Sequence, residues 1–269
     1  MSTQSVYQSI KRIKARSNEL EPVVKLVMYW RNFMPRLGTR KLYQLIQPEL
    51  LKLDIKLGRD ALFSYLREQG LLVKPKKSYI KTTNSKHWMR KHPNLLKEVK
   101  TSAPEEVFVS DITYVETEQG VHYLSLVTDA YSRKIMGYEL SNEMKATDVV
   151  KALDMALMNR CYQHEAIHHS DRGLQYCSQV YQEKLHENNI IPSMTDGYDC
   201  YQNALAERIN GILKQEFILY KCRNIEELRQ LVKESIFIYN EMRPHLSLAM
   251  KTPNQVHKKD QELKPLAFH

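Results

Sequence analysis

Hydrophobic and polar positions follow three different patterns along the 269-residue chain. In the first part, apolar residues recur at three- and four-residue intervals, which predicts helices. Residues 107–117 read VFVSDITYVET, a run of β-branched and aromatic side chains that predicts a strand. Between them, residues 74–100 are polar and basic without sustained periodicity, which is typical of a linker. The pattern therefore predicts a helical N-terminal part and a sheet-containing C-terminal part.

The helical part divides into two segments. Pro22 interrupts the first apolar stripe, so we expect two short basic helices within residues 1–34. Residues 35–75 hold two further apolar stripes around a turn, which is typical of a helix-turn-helix DNA-binding domain. Arg59 and Arg67 would then face outward from its second helix. A plain helical hairpin would show the same pattern.

The second part begins with a three-strand meander and continues with alternating helices and strands. The predicted strands are residues 107–117, 121–131, 134–140, 166–169 and 190–194. The predicted helices are residues 146–160, 174–189, 203–218 and 225–243. This order predicts an α/β fold with a mixed sheet and flanking helices. We place the domain at residues 104–255, after a basic linker at 76–103 and before a C-terminal tail at 256–269.

The net charge of +9 is unevenly distributed. Residues 1–100 hold 22 lysines and arginines against 7 acids, and the remaining residues hold 18 against 24, so a balance of +15 adjoins one of −6. A basic segment of this kind indicates contact with a polyanion such as nucleic acid, and a merely soluble basic surface is the alternative. No apolar run approaches the roughly 20 residues of a membrane helix. Because the N-terminus also lacks an apolar signal core, we expect a cytoplasmic protein without a membrane partner.

Three carboxylates occupy positions of chemical interest. Asp111 lies in the middle of an apolar strand, where an ionised carboxylate is costly without a partner. Asp171, in the stretch HHSDRGLQY, follows a short strand at the edge where open α/β sheets bind ligands. Glu207 lies on the polar face of a helix, which taken alone is also typical of a solvated surface. The same face carries Asn203, Asn210 and Lys214. If this helix packs beside the two strands, the three acids converge.

The residue types favour a hard cation at such a site. Carboxylates without a histidine and cysteine cluster at metal-ligand spacing indicate Mg²⁺ or Mn²⁺ rather than zinc. Two such ions about 3.5 to 4 Å apart assist phosphodiester chemistry. The acids would then be ligands, and no protein nucleophile is needed. The cysteines are widely separated and are interpreted as free thiols: Cys161, Cys177, Cys200 and Cys222.

Neighbouring residues allow a structural interpretation. Asp129 precedes a hairpin turn, where aspartate commonly caps backbone groups. His168 and His169 adjoin Asp171, but consecutive strand residues face opposite sides, so at most one points at the site and packing is favoured. Arg172 either contacts a phosphate or braces Asp171, and the sequence leaves both open.

Five stretches resemble the integrase-type DDE transposases of bacterial insertion sequences, specifically the OrfB type. They are SDITYV, YLSLVTDAYSRKIMGYELS, IHHSDRGLQYCS, NALAERINGILKQE and YNEMRPHLSLAMKTP. The 35 residues between Asp171 and Glu207 match the spacer of that family. Over about residues 35–255, the resemblance implies an RNase H-like integrase core. Its catalytic and metal-binding acids would be Asp111, Asp171 and Glu207, with two Mg²⁺ or Mn²⁺ ions per site.

The resemblance also implies DNA contacts. Lys214 follows the glutamate by seven positions and would contact DNA near the cleaved phosphate. Arg243 matches a family position at which DNA contact and helix-end packing are equally open. The predicted DNA-binding residues are Lys214, Arg172, Asn203, Asn210, Arg243, Arg59 and Arg67.

The sequence therefore predicts a DNA transposase, a metal-dependent polynucleotidyl transferase that cleaves transposon ends and transfers the strands. Its implied partners are double-stranded DNA, further copies of the chain, and an OrfA protein or a frameshift fusion with an upstream frame, all at the nucleoid. The alternatives are a non-catalytic helix-turn-helix regulator and an RNase H-like nuclease without strand transfer. A retroviral-type integrase is disfavoured because its zinc module needs histidine and cysteine pairs, and no cysteine precedes Cys161.

Overall fold

The computed structural model describes residues 3–74, 91–96, 101–196 and 203–262. The chain divides into two compact units, Met1–Lys76 and Lys77–His269. The predicted linker at 76–103 lies largely outside the described residues. Within the described ranges, every helix is too short or too polar to cross a membrane.

The first unit is helical and contains α1 (Thr3–Phe33), α2 (Thr39–Lys52) and α3 (Arg59–Glu68). The prediction of two helices in residues 1–34 is wrong, because α1 continues through Pro22. Proline removes a helical hydrogen bond and crowds the preceding turn. Leu20 and Val23, on either side of it, are both buried. Packing on both sides of the proline compensates for the local cost.

Helices α2 and α3 occupy the segment predicted as a helix-turn-helix. Their buried side chains include Leu42, Ile46, Leu62 and Leu66. Gly70, two residues after the end of α3, has a φ of +67°. The Gly70 N–H donates to the Arg67 carbonyl oxygen at 3.1 Å. The Leu71 N–H donates to the Leu66 carbonyl oxygen at 2.7 Å. This is the glycine termination that stops a helix sharply.

The second unit is built on a five-stranded sheet in the order β3-β2-β1-β4-β5. The strands are β1 (Val107–Thr117), β2 (Gly120–Asp129), β3 (Ile135–Ser141), β4 (Ala166–Ser170) and β5 (Ile190–Met194). The first three pair antiparallel, and β4 pairs parallel with both β1 and β5. The predicted mixed sheet with flanking helices is confirmed.

The helices of this unit are α4 (Ala146–Met158), α5 (Leu174–Cys177), α6 (Gln179–Glu187), α7 (Ala204–Ile212), α8 (Ile225–Glu241) and α9 (Pro253–Glu262). The helix predicted at 174–189 is divided, because Ser178 ends α5 and caps α6 by accepting the Tyr181 N–H. A π-helical turn, Leu213–Phe217, continues α7. The tail predicted from residue 256 begins inside α9. There the Thr252 side chain accepts from the Gln255 N–H and the Gln255 side chain from the Thr252 N–H, which starts a helix.

Apolar side chains cover both faces of the sheet. Alternation along β1 sends Phe108 to one face, where it packs with α4 and α6 residues such as Leu153 and Tyr181. Val107 and Val109 point to the other face and pack with residues of α7. The face that Val109 shares with α7 is the one on which the candidate site lies.

Candidate active site

Asp111 lies on β1, and Asp171 directly follows the last residue of the neighbouring parallel strand β4. The β1–β4 ladder pairs Val109 with His169, and each acid follows two residues later. Adjacent strands lie about 4.8 Å apart, and a shift of two residues keeps a side chain on the same face. Glu207 of α7 interacts through its charge with both carboxylates, so both lie close to α7.

Helix α7 lies where the pairing of β1 with β4 ends. The ladder stops at Val109, and the carbonyl oxygen of the next residue, Ser110, accepts a hydrogen bond of 3.0 Å from the Asn203 side-chain amide. Ala206 packs in the same apolar cluster as Val109. These contacts bring Glu207, the next residue of the helix, to the two aspartates.

The three carboxylates act on one another through their charges. Burial raises the pKa of Asp111 to about 7, and the charges of Asp171 and Glu207 contribute in the same direction. A hydrogen bond of 2.8 Å from the Asn210 side-chain amide to Asp111 Oδ2 opposes this shift. Burial and the charge of Asp171 likewise raise the pKa of Glu207. Clustered carboxylates that disfavour each other's ionisation are a donor set suited to Mg²⁺ or Mn²⁺.

Gly173 holds Asp171 in place through its backbone N–H and its lack of a side chain. Its φ of −66° is open to any residue, so the turn needs no special freedom. Its N–H instead donates to Asp171 Oδ1 at 2.9 Å, and a Cβ at this position would lie 3.0 Å from the same oxygen. The glycine provides space for the carboxylate. Arg172 lies beside it, 3.7 Å from the carboxylate of Asp196.

The neighbouring histidines and Asp129 are structural, as predicted. His168 Nε2 lies 2.7 Å from the Ser110 hydroxyl and 2.8 Å from the Tyr181 hydroxyl, and burial lowers the pKa of His168 to about 3. His169 is buried with Nδ1 2.9 Å from Ser193 Oγ. The Asp129 carboxylate accepts the backbone N–H groups of Glu105, Tyr131 and Ser132, so it caps the turn after β2.

Lys214 lies on the π-helical turn, a feature that helical periodicity does not reveal. Its ammonium is 4.1 Å from the centroid of the Tyr114 ring on β1. Burial lowers the pKa of Lys214, and the charges of Asp111 and Glu116 oppose this effect. The ammonium of Lys214 therefore interacts electrostatically with the carboxylate cluster.

Several residues predicted to contact DNA make contacts inside the fold. Arg243 is 2% exposed and donates to Glu216 through two nitrogens at 2.6 and 2.8 Å. The buried Asn203 and Asn210 side chains bond to β1 as described above. Arg59 and Arg67 lie exposed on α3 of the first unit.

Another buried carboxylate, which the sequence did not point to, anchors α9. Glu105 is fully buried, and its side chain accepts the N–H groups of Cys161 and Tyr162. His257 Nε2 of α9 lies 3.1 Å from Glu105 Oε1, and Arg160 Nε lies 3.6 Å from Oε2. These donors satisfy the carboxylate, so we interpret the cluster as structural.

Comparisons with known proteins agree with this architecture. Two family models, each described as an integrase core domain, match residues 101–200 and 188–253. The uncharacterized 31 kDa protein of insertion element IS600 from Shigella sonnei is 37% identical over 219 residues, which cover 80% of this chain and 79% of that protein. The transposase for insertion sequence element IS629, also from Shigella sonnei, is 30% identical over 207 residues, 77% of this chain and 68% of that one.

A solved structure is similar in fold. The simian T-cell lymphotropic virus intasome, in complex with the PP2A regulatory subunit B56 gamma, aligns with a TM-score of 0.53 and 17% identity, over 86% of this chain and 77% of that chain. Sheet order, the family models and the relatives lead to one conclusion. The chain belongs to the insertion-sequence transposases that carry an integrase core domain.

Proposed function

We propose that this protein is a polynucleotidyl transferase that cleaves DNA at transposon ends and joins the freed strands to target DNA. The observation that carries the proposal is that β1, the end of β4 and α7 bring Asp111, Asp171 and Glu207 together, with α7 bonded to Asp111 through Asn210. The raised pKa of Asp111, which burial and the two other acids push to about 7, supports it. Like charges in one partly buried site destabilise a fold. Such clusters are typical of sites that bind cations or move protons.

The three acids have distinct roles. Asp111 and Asp171 would hold one Mg²⁺ or Mn²⁺ ion, and Glu207 would complete the site of a second. Bound ions of this kind activate an attacking oxygen and stabilise a leaving one. Asn210 keeps the Asp111 carboxylate in place from α7, and the Gly173 N–H does the same for Asp171. Water attacks the first phosphodiester, and the freed 3′ hydroxyl attacks the second.

The DNA contacts follow from exposure and charge. Lys214 and Arg172 lie beside the carboxylates and would meet the phosphates around the cleaved bond. Arg59 and Arg67 would contact flanking double-stranded DNA from the first unit. The internal contacts of Asn203, Asn210 and Arg243 make them supports of the site instead. The protein would act as a homo-oligomer on nucleoid DNA in the cytoplasm, with an OrfA partner or as a frameshift fusion.

The test uses duplexes that carry the ends of the insertion sequence. With Mg²⁺, the wild-type protein should cleave them and produce joined strands, whereas Asp171→Asn should lose both activities and retain DNA binding. Glu118→Gln, at an exposed position next to β1, is the matched control and should behave as wild type. Wild-type activity in Asp171→Asn would refute the assignment. Binding without cleavage by the wild type would favour a regulator, and cleavage without joined products would favour a nuclease.

A further inference from the structure

Tyr114 and Lys214 follow the acids along two different elements. Tyr114 follows Asp111 by three residues on β1, and three residues of strand span about 10 Å. Lys214 follows Glu207 by seven residues, and two helical turns also span about 10 Å. Asn210, one helical turn before Lys214, donates to Asp111, so the contact between Lys214 and Tyr114 lies one turn beyond the contact between α7 and the acid.

The contact between the two side chains is close. Lys214 Nζ lies 4.1 Å from the centroid of the Tyr114 ring, and both residues are partly buried. An ammonium within about 6 Å of an aromatic centroid is attracted by the ring, more strongly when water is partly excluded. The ring of Tyr114 thus restricts a side chain that otherwise has four rotatable bonds.

The backbone of Lys214 is also fixed. The π-helical turn Leu213–Phe217 carries Glu216, and the buried Arg243 holds the Glu216 carboxylate through two hydrogen bonds. The lysine is consequently held at its base by the turn and at its tip by the ring. A lysine already ordered in this way loses less conformational entropy when it binds a phosphate.

We propose that Tyr114 is a positioning residue, whose ring holds the Lys214 ammonium at the edge of the carboxylate cluster, ready to receive a DNA phosphate. The inference rests on the proposed function for the DNA contact of Lys214. The contact between ring and ammonium exists without DNA. Any effect of Tyr114 on DNA binding should therefore require Lys214.

The first experiment measures the Kd of an end duplex by fluorescence anisotropy without divalent metal, and kcat at saturating duplex with Mg²⁺. Tyr114→Leu should raise the Kd about 3- to 10-fold, because the variant lacks the ring that orders the Lys214 ammonium. Tyr114→Phe keeps the ring and should match wild type. In a Lys214→Met background, Tyr114→Leu should have no further effect. The control is Tyr220→Leu, at an exposed position after the π-helical turn, which should leave the Kd unchanged.

The second experiment reads the contact directly, without DNA. In ¹³C-lysine-labelled protein, the Lys214 Hε resonances should be shifted upfield by the ring current in the wild type and in Tyr114→Phe, and not in Tyr114→Leu. Melting temperatures identify any variant that fails to fold. If Tyr114→Leu fails to fold, Tyr114→Phe still shows whether the ring alone keeps the shift of the Lys214 resonances. An unshifted Lys214 in the wild type would overturn the inference, as would a Kd effect of Tyr114→Leu that persists in the Lys214→Met background. A wild-type protein that binds duplex but never cleaves would refute the proposed function only, since both readouts on Tyr114 remain.

Discussion

The side-chain amide of Asn210 donates a hydrogen bond of 2.8 Å to Oδ2 of Asp111, which joins α7 to the central strand. Asn210 is 4% exposed, so water competes little for this amide. The bond stabilises the charged form of a carboxylate that burial and two neighbouring acids disfavour. The central acid of the site therefore depends on the docking of a helix.

The first prediction concerns pH. The pKa of Asp111 is about 7 in the folded protein against an ordinary value of 3.8. Below about pH 4 this carboxyl group is neutral in both the folded and the unfolded protein. As the pH rises, the unfolded protein loses the proton first, so the free energy of unfolding falls until the pH passes about 7. In EDTA, Asp111→Asn should melt roughly 5 °C above wild type at pH 8 and together with it at pH 4. An equal difference at both values would contradict the shift, and Glu118→Gln is the control.

The second prediction concerns metal affinity. Asn210→Leu removes the donor that orients Asp111, and loss of such a supporting bond typically weakens metal binding about 10- to 100-fold. Titration of Mg²⁺ against cleavage rate, and against melting temperature, should show the weaker binding. Gln215→Ala, at an exposed position of the following turn, should not change the titration. An unchanged Mg²⁺ midpoint in Asn210→Leu would show that the hydrogen bond is dispensable.

A third prediction addresses the ion pair between Arg243, which follows α8, and Glu216 of the π-helical turn. Arg243→Met should lower the free energy of unfolding by about 3 to 5 kcal/mol, because the Glu216 carboxylate loses the guanidinium that donates two hydrogen bonds to it. Adding Glu216→Gln should recover part of the loss. Urea denaturation measures both variants, and Arg223→Met, at an exposed position, should cost less than about 0.5 kcal/mol. A loss no larger than that of Arg223→Met would exclude a structural role for the pair.

The fourth prediction compares two glycines. A Cβ on Gly137 would lie 2.1 Å from the Ala152 carbonyl oxygen and 2.5 Å from the Ala156 nitrogen, both in the backbone of α4. Gly137→Ala should therefore cost about 3 kcal/mol or prevent folding. A Cβ on Gly211 of α7 meets nothing within 4 Å, so Gly211→Ala should stabilise by about 0.5 to 1 kcal/mol. Expression yield and urea denaturation should separate the two, and similar effects would contradict the packing of β3 on α4.

Much of the fold could be predicted because its strands are locally distinctive. Residues 107–117 and 190–194 are strands with the predicted bounds, since β-branched runs end there at turn residues. The continuity of α1 could not be predicted, because it depends on packing around Pro22 that local sequence does not encode. The π-helical turn could not be predicted either, because a few residues with i→i+5 hydrogen bonds hardly change the spacing of apolar residues.

The candidate site divides in the same way. Asp111 is detectable because a carboxylate in an apolar strand is anomalous, and Asp171 because it follows a strand in a recognisable motif. The partner of Arg243 lies 27 residues away, and that of Asn210 lies 99 residues away. Such pairings arise only when separate elements dock, so the sequence could place these residues on polar faces and no further.

The shortness of β4 has a wider consequence. This strand has five residues, and it accompanies the eleven-residue β1 only as far as Val109. Beyond Val109, β4 therefore no longer pairs with β1. Backbone carbonyl groups of β1 that would bond to a neighbouring strand can accept hydrogen bonds from the side chains of a helix instead. One further ladder pair, between Ser110 and Ser170, would compete for the Ser110 carbonyl oxygen to which Asn203 now donates, and so for the point at which α7 docks.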